Sequence, residues 1–276
     1  MWNQIKTILL IGVLTGLVLL IGNLLGGREG LYIALGFAIL LNGIMYFFSD
    51  KIVLAMYGAK PMKKTDYPWL HTMVEDIAHK AGIPKPKLYI VPSQTPNAFA
   101  TGRSPKNAVV ACTEGILQLL DKEELRGVLA HELSHVKNRD MLVTTIAATL
   151  AAVISTVARM ALWTGGDRDR GVHPIALIFL VIITPLVALL LQLAVSRSRE
   201  YLADETGART IKNPKVLAQA LAKLEHGNKM HPMRNANPAT SSLFIVNPFT
   251  TQGLLAAFST HPPMKERIKR LNEMKV

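Results

Sequence analysis

Four stretches of this chain are too long and too apolar to be ordinary core segments: 7–25, 31–48, 142–163 and 175–195. Each comes near the ~20 apolar residues needed to cross a ~30 Å hydrocarbon layer. Only the third holds a charge, Arg159, which lies close enough to its end to snorkel. Composition points the same way, since half of the 276 residues are hydrophobic and only 18% are charged, below the roughly 25% of an ordinary globular domain. The first stretch exceeds a signal-peptide core of about 7–15 residues, lacks a small-residue cleavage site and runs almost directly into the second, so it reads as a retained helix.

Lysine and arginine near the span ends set the orientation. The short connections carry Arg28, Arg168 and Arg170, whereas the other side carries Lys6, Lys51, Lys60, Lys63, Lys64, Lys137, Arg139, Arg197 and Arg199. The positive-inside rule then places the N-terminus, 51–141 and 196–276 in the cytoplasm. The net charge of +12 comes with no basic run interleaved with aromatics and no phosphate-cradling glycine loop, so no nucleic-acid partner is expected. Anionic lipid headgroups account for it. The single cysteine, Cys112, excludes an internal disulfide and reads as a small buried hydrophobe.

Segments 51–141 and 196–276 hold about 170 residues, enough for one domain with its own core, interrupted by the second pair of spans. The expected organisation is a transmembrane hairpin over 1–50 and a domain over 51–276 with a second hairpin at 142–195. Periodicity predicts a helix near 68–82, strands at 87–91 and 108–112 separated by a turn-rich stretch, and a helix from about 114. A further helix starts after Asp121, whose carboxylate can cap it, with Glu123 and Glu124 in its first turn. Helices are also expected over 196–210, from Pro214 behind Asn213 to about Gly227, and at the end of the chain. The stretch 230–250 reads as a loop.

The helix after Asp121 carries His131, Glu132 and His135. Residues i and i+4 share a helix face, so the two imidazoles can point at one ion. Glu132 lies one step round, placed to take a proton from a water that zinc activates. A catalytic zinc needs a third protein ligand and an open position. The metzincin continuation is excluded, because Asn138 and Met141 stand where Gly and His are required. A hairpin at 142–195 would return the chain to the same membrane face, where Glu200 and Asp204 are again i and i+4. Glu200 can bind the metal and Asp204 can fix the tautomer of a ligand histidine; a solvated acidic face beside Arg197 and Arg199 is the competing reading.

HELSH at 131–135, Arg199-Glu200 with Asp204 four residues on, NAFATG at 97–102 and THPPMKERI at 260–268 together resemble the HtpX family of membrane-embedded zinc metalloproteases, relatives of the CAAX prenyl proteases. The resemblance covers essentially the whole chain. It implies a mainly α membrane protein, with four transmembrane helices and a cytoplasmic α+β zincin-like protease domain containing a small sheet. It implies one Zn2+ per chain held by His131, His135 and Glu200, Glu132 as general base and acid, and Asp204 behind the ligands. It also implies cleavage of misfolded or damaged membrane proteins at the cytoplasmic side of a prokaryotic plasma membrane.

Beside that resemblance, Asn97, Ala98, Phe99 and Ala100 can form an exposed sheet edge on which a substrate lies as an added strand, although Phe99 also suits a core. His261 and Arg267 look like the pair that related enzymes bring near the zinc to stabilise the oxyanion; a loop histidine and a surface arginine are the plain alternative. His71, His79, His173, His226 and His231 have no partner at ligand spacing. A transporter would need ionisable residues along its spans, which these lack, and a purely structural zinc would favour four cysteine-rich ligands. Self-cleavage and homo-oligomers fit a membrane protease of this kind.

Overall fold

The computed structural model describes residues 2–146, 149, 197–230, 243–245 and 262–276. The third and fourth expected spans lie outside these residues except for 142–146 and 149, as do His173, His231 and His261. Helix α1 runs over Trp2–Met56 with a break at Gly26 and Gly27, where Gly27 takes φ 54°. In an unbroken helix Thr15 and Asn42 would stand roughly 40 Å apart. Instead Asn42 Nδ2 donates to Thr15 Oγ1 at 2.8 Å, so the two halves fold back on each other. The second half, Gly26–Met56, is long and apolar enough to cross a membrane, and Tyr32, Ile33, Phe37, Ile39 and Leu40 are exposed along it. It does not stop near Phe48, as the sequence suggested, but continues to Met56.

The reason lies in the sheet. Strands β1 (Lys60–Pro61), β2 (Lys87–Val91), β3 (Ala98–Thr101) and β4 (Val109–Thr113) are ordered β1-β2-β4-β3. β4 pairs parallel to β2 and antiparallel to β3. Alternate residues feed two cores. Leu88, Ala98, Ala100, Val110 and Cys112 face the helices. Val91, Phe99, Val109 and Ala111 face Val53 and Leu54 of α1. A sheet covered on both sides needs apolar residues at every position, hence the unbroken run in β4. The last turns of this apolar helix are thus one wall of the domain's core.

On the other face lies α4 (Lys122–Asn138), whose start is the capping box of Asp121 and Glu124. It is sandwiched by α2 (Pro68–Ala81) and, beyond α3 (Glu114–Leu119), by α5 (Arg197–Ile211) and α6 (Pro214–Met230). The last helix, α7 (Met264–Glu273), packs on α5 and α6. α5 approaches α4 through Gly207: a Cβ there would fall 2.9 Å from the His131 nitrogen. No other side chain leaves room for that crossing, which brings the α5 acids to the α4 histidines. The chain after α4 turns through Arg139 in the left-handed conformation (φ 57°), and 141–146 are helical again.

Candidate active site

His131 and Glu132 are 1% and 5% exposed in the middle of α4, and His135 follows one turn later. The Nε2 atoms of the two histidines lie 3.2 Å apart. Glu200 of α5 reaches toward both, Oε2 at 3.8 Å from His131 Nε2 and Oε1 at 3.6 Å from His135 Nε2. One donor atom from each of the three lies within 4.8 Å of the others. Two imidazoles and a carboxylate converging in this way can hold a metal ion and leave a coordination position open.

Each histidine is held from behind by its own carboxylate. His131 Nδ1 lies 2.9 Å from Asp204 Oδ1, and His135 Nδ1 lies 3.2 Å from both oxygens of Asp140. With Nδ1 facing a carboxylate, the Nε2 lone pair is the one turned to the centre. Asp140, only 3% exposed, was missed by spacing: five residues beyond His135 puts it past the helix end. Arg139 turns the chain so that the Asp140 amide donates to the His135 carbonyl, and this local reversal returns the carboxylate to the ring.

Arg267 from α7 is fully buried rather than on the surface. Nε and Nη2 donate to the two oxygens of Asp204 at 2.8 and 2.7 Å, and Nη1 donates to the Ile245 carbonyl at 3.1 Å. The planar fork braces Asp204, which in turn braces His131. Arg199, one residue before Glu200, is half-buried; burial lowers its guanidinium pKa, against the pull of Asp140 and Glu200.

Burial also pushes the Glu132 carboxyl up to about 7, with the nearby Glu200 adding to it and His135 opposing. Glu132 Oε2 accepts a hydrogen bond from the Ala100 amide at 3.0 Å. In the β3–β4 register Ala100 faces Val110, and its amide points away from β4, off the sheet edge. Burial lowers the His131 pKa against the pull of Asp204. On His135 burial is outweighed by Asp140, Glu200 and Glu132, and its pKa rises to about 10. A carboxylate poised near neutrality beside two convergent histidines is a proton-transfer site.

Asn97 to Ala100 lie beside this centre but their side chains are buried, not exposed. Asn97 Nδ2 donates to the Leu243 carbonyl at 3.4 Å and its Oδ1 accepts from the Ile245 amide at 3.1 Å. Phe99 packs against Tyr57 with tilted rings in the α1-side core, centroids 5.7 Å apart. His71 bonds the Met62 carbonyl through Nε2, and His79 and His226 are exposed, all outside the cluster. Cys112 is buried, and burial pushes its thiol up to about 12.

A buried His-Glu-His helix, crossed by a second helix bringing Glu and Asp, defines a metallopeptidase centre. The sequence model of peptidase family M48 matches residues 64–275, and the chain belongs to that family. Within it, the chain is 53% identical to the Protease HtpX homolog of Sulfurihydrogenibium sp., covering 99% of this chain and 97% of that one. It is 52% identical to those of Persephonella marina and Pyrococcus furiosus, covering 97% and 95% of their lengths and 99% and 98% of this chain. The crystal structure of S. mikatae Ste24p has the same fold, with a TM-score of 0.55 at 18% identity over 98% of this chain. This chain spans 65% of that protein's length. The chain is thus a membrane-bound metallopeptidase of the HtpX group.

Proposed function

We propose that the metal is zinc, held by His131, His135 and Glu200, and that the protease acts on misfolded or damaged membrane proteins from the cytoplasmic side of a prokaryotic plasma membrane. The carrying observation is the 3.2 Å separation of the two Nε2 atoms with Glu200 beside them. Bonds of ~2.0–2.1 Å in a tetrahedron hold ligand atoms about 3.3 Å apart, so the cluster needs little adjustment to take zinc. Zinc bound there would supply Lewis acidity to a water molecule and to the scissile carbonyl.

Glu132 takes the proton of the attacking water on its carboxylate and hands it to the leaving amine nitrogen as the C–N bond breaks. The Ala100 amide fixes the Glu132 carboxylate for both transfers. Asp204 and Asp140 hold the histidine rings through Nδ1. The Arg267 fork is committed to Asp204 and Ile245, which favours a positioning role over direct oxyanion stabilisation. His261 remains the candidate for that stabilising donor. The outward edge of β3 is where an extended substrate would pair.

The membrane reading is supported by the apolar helix Gly26–Met56 and by the Lys/Arg asymmetry of the loops. We take residues 1–50 as a transmembrane hairpin and 51–276 as a protease domain interrupted by a second hairpin at 142–195. The test is cleavage of an unfolded membrane protein in liposomes by zinc-loaded wild type and Glu132→Gln. Turnover should vanish in the variant with one zinc per chain retained in both, and equal cleavage would remove Glu132 from the chemistry. A cysteine at position 65 should react only from the cytoplasmic side.

A further inference from the structure

The turn that ends the edge strand descends along the membrane helix. Gly102 takes φ 133°, and a Cβ there would lie 2.4 Å from the Asn107 carbonyl oxygen, so 102–107 is a closed turn that glycine alone permits. Its arginine, Arg103, places its guanidinium 5.2 Å from the Phe47 ring centroid. Phe47 stands nine residues before the end of α1, so the turn reaches about 14 Å back along the helix toward its apolar part. Tyr46, Phe47 and Phe48 are exposed there, and one turn on, Lys51 lies 4.9 Å from the Phe48 centroid. Aromatic side chains followed by a lysine mark the level of a bilayer interface.

Arg103 therefore sits at headgroup height, with the exposed Lys106 beside it. Among the described residues neither forms an ion pair with a carboxylate. On the other side, Thr101 Oγ1 shares a 3.0 Å hydrogen bond with Thr145 Oγ1, in the helical start of the third apolar stretch. The C-terminal end of β3 is thus flanked by α1 and by that stretch, and Ala100, which holds Glu132, is three residues before Arg103.

We propose that the 102–107 turn is a docking surface for anionic phospholipid headgroups, bound through Arg103 and Lys106, which holds the substrate-side edge of the cleft at the bilayer surface. The inference rests on the membrane reading of α1 given above. Its test uses the full chain in a Glu132→Gln background, with Asn107→Cys carrying a fluorophore; the buried Cys112 stays unlabelled. The protein is reconstituted in vesicles of three parts phosphatidylcholine to one part phosphatidylglycerol, with a headgroup quencher on one lipid or the other. The anionic quencher should act about tenfold more effectively than the neutral one at equal content. That preference should vanish in Arg103→Gln/Lys106→Gln and, without any substitution, in high salt. Equal quenching by the two lipids, or a preference that survives both treatments, overturns the proposal. A label at Ile39→Cys, read with acyl-chain quenchers, separates the two ideas. If Ile39 is embedded while Asn107 shows no anionic preference, only the docking surface fails; if Ile39 is not embedded, the membrane reading fails with it.

Discussion

His131 and His135 are shifted in opposite directions although they are one helical turn apart. Burial lowers the pKa of the first against the pull of Asp204, while on the second the pull of Asp140 and the nearby glutamates outweighs burial. The two Nε2 atoms face each other across 3.2 Å, and a proton held on His135 competes with a metal for that place. Metal binding must release it, and affinity rises with pH. Above about pH 7 one proton is lost per metal, from His135, whose pKa is near 10. Below about 7 the Glu132 carboxyl is also protonated, and a nearby cation drives it to ionise, so two protons leave. Chelator competition should show the dissociation constant falling about tenfold for each unit of pH increase above 7 and more steeply below it. Glu132→Gln should give the shallower slope throughout. Arg267 permits a second test at this scale. Arg267→Lys keeps a charge but loses the fork on Asp204, and should cost roughly 2 kcal/mol of stability and weaken metal binding. The i, i+4 pairs made these residues legible, because a helix turns such spacing into a shared face. Asp140 was not legible, because its approach depends on the backbone of Arg139, which no spacing rule foresees.

Elements with a strong period or cap were readable in advance. β2 was expected at 87–91 and lies there, the Asp121 cap begins α4, and α6 starts at Pro214 behind Asn213. The sheet edge expected at 97–100 within a turn-rich stretch lies at Ala98–Thr101 as β3, where pairing with β4 fixes its strand structure. α1 was cut short because Ser49, Asp50 and Lys51 resemble a helix end, while burial of Val53 and Leu54 against the sheet carries the helix on. Two substitutions test how elements position the site. Gly207→Ala would push α5 off α4 at the His131 backbone. It should cost about 1–3 kcal/mol and weaken metal binding, because Glu200 and Asp204 ride on α5. Ala100→Pro removes an amide that bonds Glu132 and not β4, which an edge strand tolerates. Cleavage should fall about 10- to 100-fold, as loss of a hydrogen bond to a charged group implies, with metal content unchanged. A loss of metal in Ala100→Pro would mean that the strand itself had shifted.

At the scale of the whole molecule, the membrane helix and the protease domain share a core. Val53 is fully buried and Leu54 is 7% exposed, both against Val91, Phe99, Val109 and Ala111. Tyr57 contacts the rings of Phe99 and Phe244 at 5.7 and 5.9 Å. A chain lacking residues 1–48 keeps all of these, whereas one lacking 1–59 loses them. Burying Val53, Leu54 and most of Tyr57 is worth roughly 5 kcal/mol, comparable with the 5–15 kcal/mol that typically holds a whole domain together. In detergent the first truncation should retain a cooperative melt and its metal. The second should melt far lower or not fold, and its edge strand, stripped of the Phe99 floor, should no longer align Ala100 with Glu132. Equal melting temperatures for the two would show that α1 only tethers the domain. The expected difference makes the helix part of the protease, with the position of the cleft relative to α1 fixed by the packing of Val53, Leu54 and Tyr57.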